Sequence, residues 1–108
     1  MMDTLLRLNE RHCMLAAFSI SPMGAGDSVG DAVAAVVRLV RESGLPNETT
    51  SMFTTVEGQP DEVFALLRRC IHVAEQFGPR VSAVIKIDQR PGHDDMLHTK
   101  VERVERAL

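Results

Sequence analysis

Hydrophobic and polar positions alternate with two different periods along this chain, and the switches between them mark the elements. From Cys13 to Ser21 the period is two: Met14, Ala16, Phe18 and Ile20 share one side, and Cys13, Leu15, Ala17, Ser19 and Ser21 the other, which predicts a strand. Pro22, Gly24 and Gly26 are expected to end it. Val29, Ala32, Val33, Val36, Val37 and Val40 then recur at helical spacing. Ser28 and Asp31 stand at capping-box distance before them, and Ser43-Gly44 with Pro46 closes the helix. Residues 47–58 are rich in Thr and alternate again, with Thr50, Met52, Thr54 and Val56 against Thr49, Ser51, Phe53, Thr55 and Glu57. The run is longer than an ordinary strand, so it divides into two around 51–53.

Pro60 sits where a first helical residue belongs, with Asp61 and Glu62 near the positive helix end. Val63, Phe64, Leu67, Cys70, Ile71, Ala74 and Phe77 make its apolar face, and Gly78-Pro79 stops it. Val81, Ala83, Ile85 and Ile87 alternate with Ser82, Val84, Lys86 and Asp88, a strand broken by Arg90-Pro91-Gly92. A last helix, from about Asp94, carries Leu97, Val101, Val104 and Leu108 in one stripe. The order β-α-β-β-α-β-α implies an α+β fold: a ferredoxin-like βαββαβ sandwich with an additional C-terminal helix. Residues 1–12 read as an N-terminal arm and 13–108 as one domain. Leu15, Ala17 and Val84 would point away from the two helices. Bare apolar sheet surface is unusual on a monomer, so sheets are expected to pack between subunits of a homodimer or homotetramer.

Composition narrows the function classes. The formal charge of −3 offers no general attraction for phosphate backbones, and the four Phe, with no Trp or Tyr, do not make a base-stacking platform. Nucleic acid is not an expected partner. No apolar run is long enough to span a bilayer, so no membrane role is expected. Two cysteines without a CxxC spacing fit a reducing cytoplasm.

No nucleophile elbow, Walker loop or dinucleotide fingerprint is present, and no catalytic residue is assigned. The segment 22–28 is a glycine-containing strand-to-helix loop that matches neither phosphate pattern. His93, Asp94, Asp95 and His98 have the most metal-like spacing, but Asp94 or Asp95 is equally placed to cap the last helix, and no metal is assigned. Cys70 and His72 are two apart on a helix and point to different sides. The polar groups with most promise are Ser19, Thr54, Glu57, Lys86 and Asp88, which strand pairing could bring together near the sheet surface around a small polar ligand. The competing reading is that Thr merely favours strands and that Lys86 and Asp88 are solvated.

Four segments carry a resemblance: 19–24, 43–45, Met52-Phe-Thr-Thr-Val-Glu-Gly58, and Arg80 to Arg90. Together they are similar to the YkoF-like thiamine-binding family of small ferredoxin-like proteins. The resemblance implies subunits that pair sheets, often into tetramers, and a pocket for thiamine or its hydroxymethylpyrimidine portion, with no cofactor. It matches Thr54 and Glu57 to the family's Thr and Glu, and Lys86, Asp88 and Arg90 to its last-strand motif. Phe53 stands where the family commonly has Gly, and a ring there would stack on a ligand or fill the pocket. The expected ligand-binding set is therefore Ser19, Phe53, Thr54, Glu57, Lys86 and Asp88. Two other functions fit the element order. One is a small dimeric α+β barrel-like enzyme of oxygenase or isomerase type, with His72 or His98 as its titrating group. The other is a structural or regulatory assembly module.

Overall fold

A computed structural model describes residues 13–108; the expected arm, 1–12, lies outside them. Strand β1 (Met14–Met23) leads through a single 3-10 turn (Gly26–Ser28) into helix α1 (Val29–Glu42). Strands β2 (Asn47–Thr49) and β3 (Thr54–Gly58) follow, then α2 (Pro60–Glu75), β4 (Arg80–Gln89) and α3 (Met96–Ala107). The sheet runs β2-β3-β1-β4 with every neighbouring pair antiparallel. This is the ferredoxin-like α+β arrangement with one helix added.

The register decides which residues share a face. Phe18 pairs with Thr54 on one side and Ile85 on the other, and Ala16 pairs with Val56 and Ile87. This face meets α1 and α2, and buries Met14, Phe18, Ile20, Val36, Val40, Val56, Val63, Leu67 and Cys70 in one cluster. The other face carries Leu15 opposite Glu57 and Asp88, and Ala17 opposite Thr55 and Lys86. There α3 covers one corner, where Met96 and Leu97 bury themselves on Leu15.

The structure departs from the sequence pattern at several points. Strand β1 runs through Pro22 to Met23, beyond the expected stop. Its pairing with β3 ends at Phe18, so near Pro22 it has a neighbour on one side only, and a residue without an N–H is tolerated. The capping box at Ser28 does not form: Ser28 is in the α region and its side chain makes no cap bond, because the 3-10 turn already leads the chain into the helix. Ile85 and Ile87 face the helices but stay 38% and 40% exposed, since β4 is the edge strand and α2 reaches over it only in part. Phe64, expected in the core, is exposed, while Leu66, absent from that list, is buried.

Two glycines are fixed by geometry. Gly44 takes φ +81 just past α1, the left-handed position that ends a helix. A Cβ on Gly78 would lie 2.8 Å from the carbonyl oxygen of Met23, so the turn before β4 passes too close to β1 for any side chain.

Candidate functional site

The candidate residues fall on both sides of the sheet. Thr54 and Glu57 are three apart on one strand, and a strand's period of two sends them to opposite faces. Thr54 lies on the helix side and is 7% exposed; Glu57 lies on the other side and is 3% exposed.

Glu57 has partners. Its two carboxylate oxygens accept the backbone N–H of Met96 at 2.8 Å and of Leu97 at 3.3 Å. These are orphan amides of the first turn of α3, where the helix dipole also favours a negative group. A side chain from β3 thus does the capping expected of Asp94 or Asp95. Asp95 is at the N-cap position with φ 51, but its side chain makes no cap bond. Instead its carboxylate meets Nδ1 of His98 at 2.8 Å. Among the described residues, no group of three or more His, Cys, Asp or Glu is arranged to hold a metal ion.

Lys86 and Asp88 project from the open side of β4, and Asp88 is reached from α3: the Lys100 ammonium donates to it at 2.6 Å. That hydrogen bond, aided by the Lys100, Lys86 and Arg90 charges, holds the Asp88 carboxyl below its usual range. The pair is largely exposed and contributes little to stability. The register therefore sets Glu57 and Asp88 on either side of Leu15 at the base of α3, with Lys86 two residues before Asp88 on the same face.

The other three candidates gather elsewhere. Ser19, Phe53 and Thr54 border a cavity of about 160 Å³ between β1, α1 and the loop joining β2 to β3, but the alternation of β1 turns the Ser19 side chain to the other face, so it borders the cavity through its backbone. Its wall alternates apolar groups (Phe18, Ile20, Val33 and Val36) with the hydroxyls of Thr49, Thr50 and Ser51. No charged side chain lines it. The loop is closed on itself: the amide and the hydroxyl of Thr50 both donate to the Phe53 carbonyl oxygen, each at 2.9 Å. Thr49, Thr50 and Ser51 were missed as candidates, although their Thr- and Ser-rich run is the signal that marks the loop.

Neither cysteine has the setting of a nucleophile. Burial pushes the Cys70 thiol up to about 11, and burial together with Glu57 and other carboxylates also raises Cys13.

His98 is raised above its ordinary value, first by its hydrogen bond to Asp95 and then by that carboxylate's charge. A raised folded-state value means the stabilisation is complete below the unfolded-state value and fades as pH rises through the folded one. Following the His98 ring by NMR across neutral pH, Asp95→Asn is expected to move its titration midpoint downward. An unchanged midpoint would show that the Asp95 contact is not made.

The geometry can be set beside known proteins. A family model described as thiamine-binding protein matches residues 16–105, almost all of the described chain. The chain belongs to the thiamine-binding protein family. Relatives within it include a UPF0045 protein of Mycobacterium bovis, 49% identical over 88% of this chain and 94% of that one. A UPF0045 protein of Synechocystis is 33% identical over 82% of this chain and 74% of that one. Among solved structures, a hypothetical protein of Methanocaldococcus jannaschii superposes with a TM-score of 0.78 at 27% identity, covering 86% of this chain and 96% of its own. A Thermotoga maritima protein provisionally assigned to thiamine biosynthesis or salvage gives 0.73 at 19% identity, over 85% of this chain and 98% of that one, a likeness of fold alone. The family's description points to a small-molecule binding role. No helix among the described residues is long and apolar enough to cross a membrane.

Proposed function

We propose that this protein binds the aminopyrimidine portion of thiamine, or free hydroxymethylpyrimidine, without transforming it, in the cavity beneath the β2–β3 loop. The observation that carries the reading is the lining: hydroxyls of Thr49, Thr50, Ser51 and Thr54 beside the apolar side chains of Phe18, Ile20 and Val36. An aminopyrimidine presents ring-nitrogen acceptors and an amino donor on a flat apolar body, and hydroxyls can both donate and accept. At about 160 Å³ the space is smaller than the roughly 300–1,000 Å³ of drug-sized sites, which favours one ring over two. With no carboxylate in the lining, a cationic thiazolium would remain at the mouth.

In this reading Phe53 and Thr54 contact the ligand, Ser19 adjoins it only through its backbone, and Glu57 and Asp88 hold α3. Calorimetric titration with hydroxymethylpyrimidine tests it. Saturable binding is expected, weakened about tenfold by Thr54→Val, which removes one hydroxyl at constant volume. Absence of saturable heat from folded protein at millimolar ligand would remove the proposal.

We also propose that the working form is a homodimer or homotetramer. Strand β4 is ten residues long and open along one edge, and its Val84, Ile85 and Ile87 are 58%, 38% and 40% exposed. Such an edge normally needs a cover. Light scattering should give a multiple of the 11.9 kDa chain mass, and a monomer at micromolar concentration would contradict it.

A further inference from the structure

The molecule has a second, larger recess on the opposite side of the sheet from the hydroxyl-lined cavity. The end of β4 and one face of α3 enclose a groove of about 620 Å³. Met96, Lys100, Arg103 and Ala107 follow one another at intervals of four, three and four, so they form one helical stripe along the wall.

Charge is segregated around this groove. Arg90, Lys100, Arg103 and Arg106 line it, with Asp88 as the one side-chain carboxylate among the lining residues, in a chain whose formal charge is −3. Lys100 is spent on Asp88. Arg90, Arg103 and Arg106 have no carboxylate within 4 Å among the described residues. The pairing that a solvated helix offers is also unused. Glu102 stands four residues before Arg106 without bridging to it, and neither Glu102 nor Glu105 lines the groove. Three guanidiniums facing one recess suit an anion whose several oxygens each accept a bond, as phosphate oxygens do. The remaining lining is mostly apolar, with Met96, Val104, Ala107 and Leu108 beside the polar His93 and Thr99. A bare phosphate would leave most of the volume empty.

We propose that this groove binds an organic phosphate, its phosphoryl group on Arg90, Arg103 and Arg106 and its apolar body against Met96 and Val104. The site shares no residue with the hydroxyl-lined cavity and does not depend on what that cavity binds.

The test is titration of the full chain with phenyl phosphate and, separately, inorganic phosphate at low ionic strength, where such contacts are least screened. Phenyl phosphate should bind saturably and more tightly than inorganic phosphate. The double variant Arg103→Gln/Arg106→Gln should weaken it about tenfold or more, with the melting temperature held. Thr54→Val should leave it unchanged, which separates this site from the other. Equal affinity for the two anions would overturn the organic-phosphate assignment. No saturable binding, or binding unaffected by the double variant, would overturn the site itself.

Discussion

Glu57→Ala is expected to loosen the C-terminal helix and lower stability by about 2–3 kcal/mol, the scale for losing charge-assisted hydrogen bonds to buried donors. Both carboxylate oxygens are engaged with the first amides of α3, and the side chain is 3% exposed. Removing it leaves the Met96 and Leu97 amides without a partner in a place water reaches poorly. It also releases the small apolar contact of those residues with Leu15. For a domain of this size the melting temperature should fall by roughly 10 °C or more. Hydrogen exchange should accelerate first at the amides of residues 96–100. Glu57→Gln, which keeps the shape and one acceptor, should lie between wild type and alanine. In the proposed function, pyrimidine binding by folded Glu57→Ala protein persists, because Glu57 and Thr54 are on opposite faces. A variant as stable as wild type would mean that Glu57 does not anchor α3.

Phe18→Ala is expected to cost more, about 3–5 kcal/mol. Phe18 is 2% exposed at the middle of β1, paired with Thr54 on one side and Ile85 on the other, and it joins the cluster formed with α1 and α2. Nothing nearby can collapse into the space, since Val36 and Val56 are held by their own elements. Against the roughly 5–15 kcal/mol total stability of a small domain, this loss is a large fraction. Denaturant unfolding reads it directly. A cost below about 1 kcal/mol would mean that the core closes around the gap. Phe18 also forms part of the cavity wall, so pyrimidine affinity should fall with it.

Much of the fold is legible in the sequence because periodicity is a local signal. The division of 47–58 into two strands, Pro60 opening α2 and Gly44 ending α1 all follow from residue type and spacing. Long-range events are not written that way. Nothing near Asp94 shows that the cap of α3 comes from Glu57 on β3, far back in the chain. Nor does the apolar spacing show that Ile85 and Ile87 lie on an edge strand, where burial depends on a neighbour outside the chain. The candidate site was legible in pieces. Alternation already separates Thr54 from Glu57, yet the gathering of Phe18 with Thr54 beside the β2–β3 loop needs the register of β1 against β3. Phe53, half-buried at that loop, sits beside a cavity with space for one ring.

The most direct test of the proposed site is to add hydroxymethylpyrimidine to isotopically labelled protein and follow each backbone amide by NMR. The account predicts saturable shifts confined to residues 18–20, the α1 segment 33–37 and the loop 49–54, with residues 86–100 unmoved. Shifts centred instead on Glu57, Asp88 and the start of α3 would contradict it and place the ligand on the other face of the sheet.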